Sequence, residues 1–153
     1  MSNPQTPDQV DVRGPRFAAW ITTAVLVITL LVSGVSPLSA AIILSAQSVV
    51  FAIGALAGPR RHPYGLMFAK LVAPRLSPVR EREPVAPLKF AQLVGLFFAA
   101  PAAMGFATGA SLLGVVLTAA ALVAAFLNAA FAICLGCQLY PLVARLKPVH
   151  STS

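Results

Sequence analysis

The distribution of charge along the chain constrains its fold more than any other feature. Residues 17–59 and 90–144 contain no Lys, Arg, Asp or Glu, and every charged residue lies outside those two blocks. A water-soluble fold must present a solvated polar surface, and an ordinary soluble domain is about 25% charged. Here 58% of the residues are hydrophobic and only 10% are charged, so lipid is the expected solvent for most of the chain.

An α-helix needs about 20 apolar residues to cross about 30 Å of hydrocarbon. Four segments reach that length: Phe17 to Ser36, Leu38 to Ala57, Phe90 to Ala107, and Ser111 through the region of Cys134, closing near Tyr140-Pro141. Pro37 cannot extend the first helix but can begin the second, and Gly58-Pro59 stops the second. The turns at 33–38 and 107–111 are short, so the segments pair as two helical hairpins. The predicted fold is an all-α membrane protein with four transmembrane helices. Its parts are an N-terminal tail at 1–16, a first hairpin at 17–57, a basic loop at 58–89, a second hairpin at 90–144, and a C-terminal tail at 145–153.

Orientation follows from the 11 basic residues. Arg13 and Arg16 precede the first span; Arg60, Arg61, Lys70, Arg75, Arg80, Arg82 and Lys89 occupy the central loop; Arg145 and Lys147 follow the last span. The two short turns hold none. With an even number of spans all of these residues share one side, and the positive-inside rule selects a cytoplasmic location for both termini and the central loop. Trp20, Tyr64 and Tyr140 fall near the same boundary, where amphipathic rings settle among headgroups.

The net charge of +7 could indicate nucleic-acid binding through phosphate neutralisation. The cations flank apolar spans, however, where topology and anionic lipid account for them, and no nucleic-acid-binding motif accompanies them. A secretory signal peptide would also begin with a basic stretch followed by an apolar one. The first segment is longer than a usual signal core, lacks a convincing small-x-small cleavage site and runs into a proline, so a retained anchor helix is expected.

Close helix contacts in lipid depend on small residues. Gly54-x-x-x-Gly58 and Gly105-x-x-x-Gly109 offer such surfaces, within one bundle or between protomers, which leaves the oligomeric state open. A faint parallel repeat relates the hairpins: Arg16-Phe17-Ala18 and Lys89-Phe90-Ala91 open them, and a Gly followed by a Tyr closes each.

Cys134-Leu135-Gly136-Cys137 is the one motif suited to reactive chemistry, because thiols at i and i+3 on a helix share a face and can exchange with a disulfide. Cys134 lies about 35 Å along a helix begun at Ser111, at the cytoplasmic headgroup level. The alternative is that both cysteines are small apolar fillers. On a continuous fourth helix the pair sits near a helix C-terminus, whose negative end raises a thiol pKa. Activation would then come from cations, with Arg60, Arg61 and Arg145 as candidates. Zinc could be held by the CxxC with His62 and His150, but a single CxxC is a weak zinc signal, so neither metal nor cofactor is assigned. Gln47, Gln92 and Asn128 are intramembrane amides expected to bond across helices. With no ionisable residue inside a span, the proton relay of a coupled pump is missing. Leu66 to Leu76 reads as an interfacial segment, and Arg80-Glu81-Arg82-Glu83 as a solvated linker.

Asp11-Val12-Arg13-Gly14-Pro15-Arg16-Phe17, Phe51-Ala52-Ile53-Gly54, Gly58-Pro59-Arg60-Arg61-His62-Pro63-Tyr64-Gly65, Phe90-Ala91-Gln92 and Cys134-Leu135-Gly136-Cys137 together resemble a family of small bacterial integral membrane proteins classed as a domain of unknown function. The resemblance implies a multi-pass protein of the bacterial cytoplasmic (inner) membrane. That family's genes often stand beside genes for thioredoxin-like and rhodanese-like proteins, which the resemblance implies as cytoplasmic partners.

The expected function is a thiol-redox or sulfur-relay component in which Cys134 and Cys137 cycle at the cytoplasmic face, while Arg60, Arg61, His62 and Arg145 dock a partner or stabilise a thiolate. The alternatives are a non-catalytic anchor whose basic loop assembles soluble proteins and, third, a small-molecule transporter. Membrane lipids are the other expected partner; nucleic acid is not one. Whether the chain is an enzyme is open at this level.

Overall fold

The computed structural model describes residues 9–146. Its elements are β1 (Gln9–Asp11), α1 (Arg13–Ser33), α2 (Pro37–Ala57), α3 (Pro63–Met67), β2 (Arg82–Pro84), α4 (Val85–Thr108), α5 (Ser111–Phe131) and α6 (Leu135–Leu146). Lys147 and His150 lie outside the described residues.

Helices α1, α2, α4 and α5 are each long and apolar enough to cross a membrane; their 21 to 24 residues correspond to about 31 to 36 Å. Large apolar side chains cover their outer faces, among them Leu31, Leu38, Leu56, Phe97 and Leu112, each more than 60% exposed. Such a surface suits hydrocarbon and not water. Inside the bundle Leu26, Ala40, Leu44, Ala99 and Ala102 are almost fully buried. Alanines and glycines dominate these contacts because backbones must approach closely where lipid supplies no hydrophobic drive.

The helices form a ring in which α2 packs most extensively on α4, α1 on α5, and the sequential pairs α1/α2 and α4/α5 also touch. At one end, the Arg16 guanidinium donates to the Ala129 carbonyl (3.5 Å), and Gly54 faces His62 and Gln92. The first turns of α1 and α4 and the last turns of α2 and α5 therefore meet in a single cap. At the other end Gly105 packs on the backbone of Ala110 and Gly114. Gly54 and Gly105 thus make contacts within the bundle.

Buried hydroxyls need partners where water is absent. Thr23, Thr29, Ser48 and Thr118 each donate to the carbonyl four residues earlier, at 2.7 to 2.8 Å. Ser36 caps α2 by accepting the Ser39 N–H, with Pro37 in the first helical turn. Gly58, at φ 86°, ends that helix.

Three boundaries differ from the sequence reading. The segment expected to be a solvated linker contributes β2, which pairs antiparallel with β1 (Gln9 with Pro84, Val10 with Glu83, Asp11 with Arg82). The N-terminal segment and the central loop are therefore joined, and α1 and α4 start earlier than hydropathy alone suggests, at Arg13 and Val85. Asp11 reinforces this junction: its carboxylate accepts the Arg13 backbone N–H and the Arg13 guanidinium, which also reaches the Ser77 carbonyl.

The third difference concerns the fourth span, which stops at Phe131. Ala132 adopts a left-handed conformation (φ 58°). Its N–H donates to Asn128 O, the 5→1 bond of an αL helix C-cap, and the Ile133 N–H reaches back to Leu127 O. The chain then leaves the axis of α5 and starts α6, which packs on α4.

Candidate functional site

Because α5 ends at Phe131, the CxxC motif lies at the start of α6. Cys134 immediately precedes that helix, and its carbonyl accepts the Gln138 N–H in the first α-helical bond (3.0 Å). Its Sγ accepts the Cys137 backbone N–H at 3.2 Å. Cys134 is thus an N-cap in which sulfur takes the place usually held by a side-chain oxygen. The two cysteines form a disulfide, with Cα atoms 5.2 Å apart. This reverses the electrostatic expectation drawn from a continuous fourth helix. The pair occupies the positive N-terminal end of a helix, and the unsatisfied N–H groups there favour a sulfur anion.

Gly136 sets the position of the motif. A Cβ at this residue would fall 2.6 Å from the Ala91 Cα, so α6 approaches α4 at a distance only glycine permits. Tyr140, one turn later, packs against Phe90 with ring centroids 6.0 Å apart. An adjoining face of α6 carries Leu135, Leu139, Leu142 and Leu146, all at least partly exposed.

Behind the disulfide lies a cavity of about 360 Å³. Cys134 lines it, together with Gln92 on α4, Asn128 on α5, Phe51 on α2, and an alanine-rich stretch of α5. A second cavity, of about 350 Å³, is lined by Asp11, Arg60, His62, Phe68 and Gln92. Gln92, Leu88, Ala18 and Pro15 belong to both walls, so the two spaces are neighbours.

His62 occupies an unexpected place. It is only 3% exposed, packed with Gln92 over Gly54 and edge-on to Tyr64 at 5.2 Å. Neither ring nitrogen has a hydrogen-bond partner among the described residues, nor does Gln92 Oε1. Burial lowers its pKa from the ordinary 6.5 to about 4, an effect the neighbouring Gln92 amide offsets only in part. The imidazole is therefore neutral at pH 7. Tyr64, whose hydroxyl donates to Gln47 Oε1 at 2.7 Å, ties α3 to α2 as expected of an intramembrane amide; Gln47 Nε2 has no partner among the described residues.

The structure thus disperses residues grouped in the sequence reading. His62 is internal and lines the cavity next to that of Cys134. Arg60 donates to the Gln9 carbonyl (2.9 Å), Arg61 is exposed, and Arg145 is exposed in the last turn of α6. None of the three lines the cavity that contains Cys134. Among the described residues no three His, Cys, Asp or Glu side chains converge to hold a metal ion. Gln92 and Asn128 emerge as cavity-lining groups; their amides inside apolar spans were the available signal. The Asp11–Arg13 clamp had none beyond proximity in sequence.

No curated protein and no solved structure is detectably similar to the chain. A family model described as "Domain of unknown function (DUF4395)" matches residues 10–145. Since that match runs from β1 to the last turn of α6 and includes both the CxxC and the buried histidine, the chain belongs to the DUF4395 family.

Proposed function

We propose that this protein is a membrane-embedded thiol–disulfide exchange component acting through Cys134 and Cys137. The supporting observation is the Cys137 N–H directed at Cys134 Sγ at the N-terminus of α6, an arrangement that stabilises a thiolate, the nucleophile and leaving group in disulfide exchange. In one turnover a thiolate of the partner attacks the disulfide, a bond forms to one sulfur of the pair, and the other sulfur departs with the electron pair and takes up a proton. The partner's second thiol then displaces the mixed disulfide. The partner leaves as a disulfide, and Cys134 and Cys137 remain as the dithiol. Run in reverse, the same steps reduce the partner.

The four spans form two hairpins with both termini and the central loop in the cytoplasm of a bacterium, as the basic residues require. The CxxC then lies at the inner face of the cytoplasmic membrane. Disulfides in that compartment are transient and catalytic, in keeping with a cycling pair. Leu66, Met67 and Leu71, all exposed, rest in the interface with Lys70 among headgroups. The family resemblance points to a thioredoxin-like or rhodanese-like cytoplasmic protein as partner, docking near the exposed Arg61 and Arg145. Trapping tests the reading. With Cys137→Ser, a mixed disulfide through Cys134 accumulates with a cytoplasmic protein; absence of any such adduct, together with an unchanged oxidant phenotype of the double-serine variant, would reject it.

A second reading, an anchor that assembles soluble proteins, is favoured by the exposed cations Arg61, Lys70, Arg75, Arg80 and Arg82 in the segment between α2 and α4. It predicts that charge reversal at Arg60 and Arg61 abolishes partner recruitment while the double-serine variant retains it.

A further inference from the structure

A cysteine pair that oxidises its partner must itself be reoxidised, and the surroundings of Cys134 indicate by what. The cavity behind it is lined on α4 by residues from Leu88 to Phe98, about 15 Å of helix, or half the depth of a hydrocarbon core. It runs from the thiol level into the bundle. Among the described residues no Lys, Arg, Asp or Glu lines it, so a nucleotide cofactor with its phosphates meets no counter-charge from them. Its walls are largely apolar: Ala121 and Ala125 share one face of α5, with Phe98 on α4 and Phe51 on α2. Two amides interrupt this surface, Gln92 and Asn128. A carboxamide both donates and accepts, so it can bond a ring carbonyl and, after reduction, the hydroxyl that replaces it.

We infer that the cavity binds the ring of a lipid-soluble quinone, held by Gln92 and Asn128, and that this quinone reoxidises the Cys134–Cys137 dithiol. The inference rests on the thiol-exchange reading and names its electron acceptor. In the step, two S–H bonds break and one S–S bond forms. The two electrons pass to the quinone ring, and the two protons end on its carbonyl oxygens, giving the hydroquinone. No further oxidant is needed.

The test uses the full chain in lipid nanodiscs, reduced and freed of reductant, then mixed with a short-chain ubiquinone analogue. Loss of alkylatable thiols reports disulfide formation, and absorbance reports quinone reduction. One quinone is reduced per cysteine pair, with a rate that saturates. Gln92→Leu, Asn128→Leu and the cavity-filling Ala124→Phe each slow the reaction about tenfold, equivalent to about 1.4 kcal/mol in the barrier. A photoreactive azidoquinone labels peptides within 88–98 or 120–128 of the oxidised wild-type protein, a readout independent of the thiols. The inference is overturned if oxidised dithiothreitol reoxidises the pair but quinone does not, if all three variants match the wild type, or if label appears only elsewhere. If the pair exchanges with neither reagent, the thiol-exchange reading fails as well.

Discussion

The backbone N–H of Cys137 meets the Sγ of Cys134 at 3.2 Å, placing the first cysteine of the motif at the positive end of α6. This contact makes the two thiols inequivalent. In the reduced protein, Cys134 is expected to alkylate with iodoacetamide at pH values below the free-thiol pKa of about 8.5, with Cys137 slower. Mass spectrometry of partially alkylated protein distinguishes them; equal labelling across the pH range would remove the basis for assigning Cys134 as the nucleophile.

Gly136→Val places a branched side chain where a Cβ already lies 2.6 Å from Ala91. The helix must move away from α4, at a cost of about 1–3 kcal/mol typical of overpacking. Unfolding in detergent should report that loss, and Cys134 alkylation should slow as the cap is displaced. Gly136→Ala should show the same effects to a smaller degree.

Ala132 holds a left-handed conformation at φ 58°, which costs an L-residue about 1–2 kcal/mol. Replacement by glycine, the usual residue at the left-handed C-cap position, should stabilise the protein by about 0.5–1 kcal/mol. A raised unfolding midpoint with unchanged thiol reactivity is the expected result. Ala132→Val should lower the midpoint.

The pKa of His62 in the folded state is about 4, below its ordinary 6.5. As pH falls between those values the unfolded chain takes up a proton that the folded chain does not. The stability contribution is therefore complete above pH 6.5 and is lost progressively towards pH 4, reaching about 3 kcal/mol. Tyr64, Asp11 and Arg60 are the titratable or charged neighbours of this region. Asp11, held below the usual carboxylate range chiefly by its hydrogen bond from Arg13, titrates at lower pH. Denaturation at stepwise pH should show the loss in the wild type and a flatter profile in His62→Leu.

Tyr64→Phe removes the donor to Gln47 Oε1, leaving a buried acceptor unpaired at a cost of about 1–3 kcal/mol. Adding Gln47→Leu should recover part of that loss, and a double-mutant cycle gives the coupling directly. Simple additivity would show that the hydrogen bond contributes no coupling between α3 and α2.

The sequence by itself determined the solvent and the framework. Uncharged blocks at 17–59 and 90–144 can only be accommodated as apolar helices, and Pro37 and Gly58 mark their ends through local backbone chemistry. It also brought both thiols to the end of the bundle where the cations gather. Only the tertiary structure decided where α5 stops. Ala132 takes a position normally held by glycine, and Ala132-Ile133 reads as a continuing apolar helix until the break is seen. That stop turns a cysteine pair at a helix C-terminus into one at an N-terminus, with the opposite field on the sulfur. The burial of His62 was equally hidden. A histidine between arginines reads as a solvated loop residue, and its enclosure depends on Gly54 of α2 and Gln92 of α4 coming together across the bundle. Contacts between residues so far apart in the chain leave no local pattern to read.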